Sequence, residues 1–547
     1  MKTFTENFLP QAKKALPLIL LFLFIAGLII FAPIKETFEY NPDEGNNAIK
    51  ASLFLKGFPL YKEIWSDQPP LFTVILAFWL KFFGASVYHG RILVLLFSGL
   101  LLWSFYQTVK LKEGLNCALI ACVFLALSSS FIRLSISIML GLPSLSLAML
   151  SIYFVTLYNK SNSKYLLALS GAFMALSLGV KFFTAFLVPI ILLEIYLGRK
   201  KDLDGKNSRR PLSASLLWLI TATAVYSTIT LLFFWPDLSL FADQLFKPHL
   251  AELGTPNKNL PVIYYMLAQD IDIALLALVG IAISFLQKNK RAIFPLLWLF
   301  LANIILFRRH PVWDHYYPLI SIPACWLAAT GLNKLFDSKP LNGWLLKKNV
   351  FDFSVLLLRC SAILGIFLSI SALPLRYSAM RDELRPLEQS KERELAGLIL
   401  KYKDKTRWMV TDSPVFAFNA DIPVPPEIAV ATIKRRFNGG PAEDYFIKIL
   451  EKYQPEQILL GRFKDYPFKI TSYIENNYSR AREGAFYQKS SPPIFYRSLL
   501  WKPAIWRCLR LPVLRTRYLT GVTDYHKISL NLFIRNDIIE KMDRTAY

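Results

Sequence analysis

Apolar residues come along this chain in blocks of about 18–24, separated by short charged breaks, which is the length that crosses a bilayer as a helix. The blocks fall at roughly 15–34, 90–109, 115–133, 138–158, 165–180, 182–198, 213–235, 268–287, 292–307, 316–336 and 353–375. That pattern predicts about eleven transmembrane helices. Residues 71–84 are also apolar, but short and placed after Pro69-Pro70, so they predict a half-embedded or interfacial helix. The first block reads as a retained anchor, because Ala32-Pro33-Ile34-Lys35 lacks the small-residue pattern of a signal cleavage site. Basic residues gather at Lys110 and Lys112, at 160–164, 199–210, 288–291 and 334–348. These breaks fall on one side of the membrane in this count, and the positive-inside rule makes that side cytoplasmic. The loops at 35–84, 236–262 and 308–315 then lie outside, with the carboxyl-terminal part.

From about residue 377 charges become frequent and apolar runs shorten. Residues 408–411 and 457–460 read as short strands, 388–402 as a helix, and Pro423, Pro425 and Pro426 as a loop. The predicted organisation is a transmembrane domain over 1–376, a small extracytoplasmic α/β domain over 377–496, and a basic aromatic tail over 497–547. The fold class is thus a polytopic α-helical membrane protein with a small C-terminal α/β domain.

Composition agrees. The 547 residues are 54% hydrophobic, with a mean hydropathy of +0.37, more apolar than a soluble chain of this length. The formal charge of +24 is placed in cytoplasmic loops and a tail suited to anionic headgroups, so membrane lipids rather than nucleic acid are the expected polyanion. Cys117, Cys122, Cys325 and Cys360 lie in apolar blocks, Cys508 lies in the tail, and no CxxC spacing occurs; they read as buried apolar residues.

Against so basic a background the loop after the first block is out of character. Glu36, Glu39, Asp43, Glu44, Glu63 and Asp67 face only Lys35, Lys50, Lys56 and Lys62. Carboxylates beside lipid are costly unless solvated, paired or employed. Ala48, Ala51 and Leu55 share a helical face after Asp43-Glu44, predicting a helix that lies along the membrane surface and ends at Gly57-Phe58-Pro59. Asp43 is then either its N-cap or a reactive carboxylate.

The stretch Pro42-Asp43-Glu44-Gly45 … Gly57-Phe58-Pro59-Leu60-Tyr61 … Trp65 … Asp67-Gln68-Pro69-Pro70-Leu71-Phe72 … Phe83-Gly84 … Arg91 resembles the start of the C-superfamily membrane glycosyltransferases, and within them glycosyltransferase family 39, which holds protein mannosyltransferases and is similar to the aminoarabinose–lipid A transferases. The likeness is specific in the first loop. It extends loosely to Lys181 and to His315-Tyr316-Tyr317-Pro318-Leu319. It implies an enzyme that takes a sugar from a polyprenyl-phosphate carrier on the extracytoplasmic face of the plasma (inner) membrane, with Asp43 as the catalytic carboxylate. A carboxylate in hydrogen-bond reach can take the proton of an attacking hydroxyl, and a single displacement inverts the anomeric centre. Glu44 would orient the acceptor or favour the helix start through the dipole.

A polyprenyl-phosphate leaving group needs positive charge near the membrane surface. Arg308, Arg309, Lys181 and Arg91 are the candidates, each also explicable as snorkelling to headgroups. Relatives often carry Lys before the Pro-Pro pair; this chain has Gln68, which shifts weight to Arg308 and Arg309. Asp67, Gln68, His249 and His315 are expected to shape the acceptor side. No cofactor is required by any motif. In some relatives an acid before Pro-Pro and later histidines hold a metal, and Asp67, His249 and His315 would be the counterparts for a divalent ion, without close ligand spacing. The acceptor is a lipid, a glycan or a protein. The alternatives are a transporter or flippase of lipid-linked saccharide, which should carry ionisable groups mid-membrane as at Asp270 and Asp272, and a non-catalytic homologue.

Overall fold

A computed structural model describes residues 2–200, 211–250, 262–263, 266–267, 269–308, 312–336, 353–371, 391–430, 432, 443–461, 466–488 and 526–538. Eleven helical stretches occupy the eleven apolar blocks. They are α1 (Lys2–Phe31), α4 (Val87–Glu113), the pair α5 (Leu115–Leu127) and α6 (Ser129–Ser135), α7 (Gly141–Ser161), α8 (Lys164–Val180), α9 (Leu187–Lys200) with the short turn Phe182–Phe186 before it, α10 (Pro211–Phe234), α11 (Ile271–Leu286), α12 (Ile293–Arg308), α13 (Pro318–Leu335) and α14 (Phe353–Ser371). Among the described residues, five of these are long and apolar enough to cross a membrane, or six if the α5–α6 pair, bent by 69°, is one span. The protein is an integral membrane protein. Its outer helices show why: the apolar window of α10 is only 6% buried and that of α14 only 17%, whereas α7 is 83% buried. Apolar surface left open on that scale needs lipid as its solvent. Cys360 of α14 faces outward with it, while Cys117, Cys122 and Cys325 are buried.

Inside the bundle small residues set the helix spacing. A Cβ on Gly280 of α11 would sit 1.9 Å from the Leu327 carbonyl oxygen of α13, and one on Gly331 would sit 2.5 Å from the Gly280 Cα. The two backbones touch, as small residues permit in lipid. Hydroxyls glue α7 to α8: Ser151 Oγ lies 3.0 Å from Ser170 Oγ, which also accepts from the Trp218 indole at 2.9 Å. Asp270 and Asp272 are buried and bonded locally. Asp270 accepts from the Ser129 amide and hydroxyl at the α5–α6 break, and Asp272 accepts from Ser369 of α14.

Two helices precede α4 outside this bundle: α2 (Pro42–Leu55) and α3 (Leu71–Phe83). The α2 helix does not lie open on the membrane surface as its spacing predicts. Residues 44–51 are buried around its whole circumference, and Leu55 is the exposed one. The reason is the terminal domain, which covers it. That domain holds α15 (Lys391–Lys401), β1 (Met409–Thr411), α16 (Pro414–Ala420), α17 (Glu443–Tyr453), β2 (Gln457–Leu460), α18 (Phe468–Asn477), β3 (Tyr478–Gln488) and β4 (His526–Arg535). The sheet order is β1-β2-β4-β3, with β1 and β2 parallel and β4 antiparallel to both neighbours. The helix and strands expected at 388–402, 408–411 and 457–460 are present. The boundary expected at 496 is not where the domain ends, because β4 lies beyond it and fills the sheet between β2 and β3.

Candidate functional site

The first external loop is built around one buried ion pair. Glu44 and Arg91 are both essentially inaccessible to solvent. The guanidinium grips the carboxylate at both oxygens, Nε to Oε1 at 3.0 Å and Nη2 to Oε2 at 2.8 Å. Its Nη1 donates to the carbonyls of Ile34 and Thr37 at 2.8 and 2.7 Å. Glu44 also accepts from the Ile138 amide at 2.8 Å and the Tyr40 amide at 2.6 Å. One pair thereby ties the end of α1, the start of α2, the body of α4 and the segment before α7. Tyr40 lies against the guanidinium, its ring centroid 4.3 Å away, and burial raises its phenol to about 12.

This geometry corrects two expectations. Four of the five N–H bonds a guanidinium owns are already donated, so Arg91 is a girder of the loop and not a phosphate ligand. Glu44 is likewise enclosed, so it does not orient an acceptor.

Asp43 is different. Asn41 is the N-cap of α2, its side chain accepting from the Asp43 amide at 3.0 Å, and Pro42 takes the first helical position. Capping therefore does not occupy the Asp43 carboxylate. It is half-buried, in the first turn of a clamped helix, and has no hydrogen bond or ion pair among the described residues.

The rest of the loop folds on Tyr61, whose backbone is left-handed at φ 69°. A bulky residue holds that conformation only where its surroundings impose it. The Tyr61 hydroxyl donates to the Gln68 carbonyl at 2.8 Å, its ring stacks on Phe234 at 4.2 Å, and its own carbonyl accepts from Gln244. Gln244 also accepts from the Ser66 amide at 3.2 Å, which fastens residues 241–246 to the Asp67-Gln68 corner. The helical turn Lys247–Leu250 carrying His249 follows directly; the His249 side chain and Arg309 lie outside the described residues.

A second cluster forms between α8 and α13. Lys181 ends α8, with its ammonium 4.9 Å from the Phe183 ring and 5.0 Å from the Tyr316 ring. His315 packs edge-on to Tyr316 at 4.7 Å. A Cβ on Gly141 would meet the His315 carbonyl and Phe183, each at 3.9 Å. Gly141 is three residues from Ile138, which is bonded to Glu44 and accepts from Asn47. Three residues span at most about 11 Å, so the Lys181–His315 cluster adjoins the acidic loop. Arg308 is exposed at the end of α12, and no described contact joins it to either cluster.

Of the expected divalent-ion set, the His249 side chain lies outside the described residues. Among the described residues no three acids, histidines or cysteines converge; Asp67 is the first of the charges that act on Lys50, a buried lysine of α2. Lys50 and Gln244 were the site residues missed in sequence. Lys50 shares the Asp43 face of α2 at a spacing of seven; Gln244 gives no such signal.

The terminal domain completes the enclosure of α2. A Cβ on Gly45 would lie 2.6 Å from the Val415 amide nitrogen of α16. Phe38 packs on Phe416 at 4.6 Å, Phe58 on Trp408 at 6.0 Å, and Lys56 pairs with Asp421 at 2.9 Å.

Comparison with known proteins bears on the fold. The structure resembles ArnT from Cupriavidus metallidurans bound to undecaprenyl phosphate, at 13% identity over 80% of this chain and 92% of that one, with a TM-score of 0.54. It resembles the Archaeoglobus fulgidus oligosaccharyltransferase tethered to an acceptor peptide, at 11% identity over 96% and 89%, with a TM-score of 0.52. The chain has the fold of these two proteins. The profile of the dolichyl-phosphate-mannose-protein mannosyltransferases matches residues 67–235, which begin at the Asp67-Gln68-Pro69-Pro70 corner. No curated protein matches the sequence. The fold likeness thus covers 80% and 96% of this chain, well beyond the first loop.

Proposed function

We propose that this protein transfers a sugar from a polyprenyl-phosphate donor to an extracytoplasmic lipid, glycan or protein, with inversion, at the external face of the plasma (inner) membrane. The observation that carries this reading is the Asp43 carboxylate: uncapped, unpaired among the described residues, and fixed in direction by the Glu44–Arg91 pair one residue away. The acceptor hydroxyl gives its proton to Asp43 as its oxygen bonds to the anomeric carbon. The bond from that carbon to the phosphate oxygen breaks, and the polyprenyl phosphate departs. Lys181, with Arg308 and Arg309, supplies positive charge for the phosphate. Asp67, Gln68, His249 and His315 line the acceptor side.

The transporter reading draws less support. Asp270 and Asp272, its ionisable candidates, are consumed by serine hydrogen bonds that hold helices together.

The test uses membranes holding wild-type protein or Asp43→Asn at equal abundance, with a panel of radiolabelled polyprenyl-phosphate sugars. Transfer of label into lipid, glycan or protein should fall about 10²- to 10⁴-fold in the variant. Equal transfer by both would remove Asp43 from the chemistry. Label that crosses the bilayer without being transferred would favour the transporter.

A further inference from the structure

Ile138 is held by two side chains of α2. Its amide donates to Glu44 Oε1 at 2.8 Å, and its carbonyl accepts from Asn47 Nδ2, also at 2.8 Å. Glu44 and Asn47 are neighbours on one face of the helix, and both are buried. The Ile138 side chain is seated on α4, where a Cβ on Gly90 would lie 2.6 Å from its Cδ1. A residue gripped at amide, carbonyl and side chain cannot slide along α2. The same segment ends in a cluster of hydroxyls. Ser144, in the first turn of α7, has its Oγ 3.1 Å from Ser177 Oγ and 3.4 Å from Thr184 Oγ1, with the Ser177 and Lys181 carbonyls as acceptors at 3.0 and 3.3 Å. Ser177 Oγ donates to the Ser144 carbonyl at 2.8 Å, and Thr184 Oγ1 lies 2.8 Å from Ser177 Oγ and 3.3 Å from the Lys181 carbonyl. All three hydroxyl residues are fully buried. A buried polar cluster with its members bonded is rigid, and this one encloses the backbone of Lys181, where α8 stops. Residues 138–144 are buried throughout. They run from the helix that carries Asp43 to the residue that carries the ammonium, and three extended residues plus one helical turn span at most about 16 Å.

We propose that residues 138–144 are a spacer that sets the separation between the Asp43 carboxylate and the Lys181 ammonium, with Asn47, Ser144 and Thr184 as its positioning residues. An in-line displacement needs such a gauge. The base stands about 2.7 Å from the attacking oxygen and the cation about 2.8 Å from a phosphate oxygen, and misplacement by about 1 Å costs on the order of 100-fold in rate. Asn47 fixes the spacer at the carboxylate end; Ser144 and Thr184 fix it at the ammonium end. The effect on transfer rests on the reading of Asp43 and Lys181 given above. The mechanical link from α2 to the end of α8 does not.

The link is tested on the full-length protein in detergent by pulsed electron paramagnetic resonance. In a cysteine-free background, nitroxides go on Leu55→Cys, exposed at the end of α2, and Ala185→Cys, exposed on the turn after Lys181. The parent should give one narrow distance distribution, and Asn47→Ala and Ser144→Ala should each shift or broaden it. An unchanged distribution in either folded variant would overturn the spacer. Should an alanine variant fail to fold, Thr184→Val against Thr184→Ser carries the test. The first keeps the volume and loses the hydroxyl, so it should disturb the distance; the second keeps the hydroxyl and should recover it. The opposite pattern would overturn the proposal. In the transfer assay Asn47→Ala and Ser144→Ala should each lose about 10- to 100-fold in kcat with little change in donor KM. The double variant should be no slower than the slower single one, because releasing either end already frees the spacer. Losses that multiply, or an unchanged kcat in folded protein, would sink it. Full transfer by Asp43→Asn beside an intact distance response would instead reject the function, and leave the link between α2 and α8 standing.

Discussion

At Glu44 one carboxylate accepts from Arg91, from the Ile138 amide and from the Tyr40 amide. Substituting it therefore leaves a buried guanidinium with half its partners gone. Glu44→Gln should cost about 3–5 kcal/mol of stability, read as a large fall in the unfolding midpoint. Asp43→Asn, one residue earlier, should leave the midpoint within about 0.5 kcal/mol of wild type while transfer collapses. The contrast between adjacent acids separates framework from chemistry. Asn41→Ala should cost about 1 kcal/mol through the lost cap. The start of α2 was legible in Asn41-Pro42-Asp43-Glu44, but the cap belongs to Asn41, since a proline at the first helical position puts the capping residue before it. The Glu44–Arg91 pair was not legible, because 47 residues separate its members and no local rule joins them.

Among the elements, α2 carries the clearest demand on backbone spacing. Gly45 faces the Val415 amide, and backbone cannot move aside as a flexible side chain can. Gly45→Leu should push the terminal domain off α2, lowering the midpoint by about 1–3 kcal/mol or more and opening the domain to limited proteolysis. Gly280→Leu should be at least as damaging, because its Cβ alone would overlap the Leu327 carbonyl; loss of folded protein after detergent extraction would show it. Periodicity located the helices well, since lipid-facing and core-facing segments are both apolar. It misjudged the face of α2, because burial by a distant domain leaves no period in the helix itself. Strand β4 did carry a signal: Ile528, Leu530 and Leu532 alternate with Ser529 and Asn531, and the strand pairs along β2 and β3.

For the whole molecule the testable quantity is orientation. Lys62 is exposed on the acidic loop and Lys160 at the end of α7, and the charge pattern puts them on opposite sides of the membrane. In a cysteine-free background, Lys62→Cys should react with an impermeant maleimide added outside spheroplasts, and Lys160→Cys should react only after lysis. The reverse labelling would invert the topology and move the acidic loop to the cytoplasm. The apolar blocks foresaw a polytopic helical membrane protein, but the packing of the terminal domain on α2 joins residues 45 and 415, a distance along the chain that only tertiary structure can show.

The sheet order has a consequence for biosynthesis. Strand β3 pairs with β4 and reaches β2 only through it. While the ribosome has not yet delivered residues 526–535, β3 has no neighbour, β2 has one open edge, and the domain that covers α2 is incomplete. The membrane bundle can insert helix by helix long before that. A nascent or prematurely stopped chain would therefore sit in the bilayer with its acidic loop formed but uncovered, so translation itself delays assembly of the finished site until after the bundle is in place.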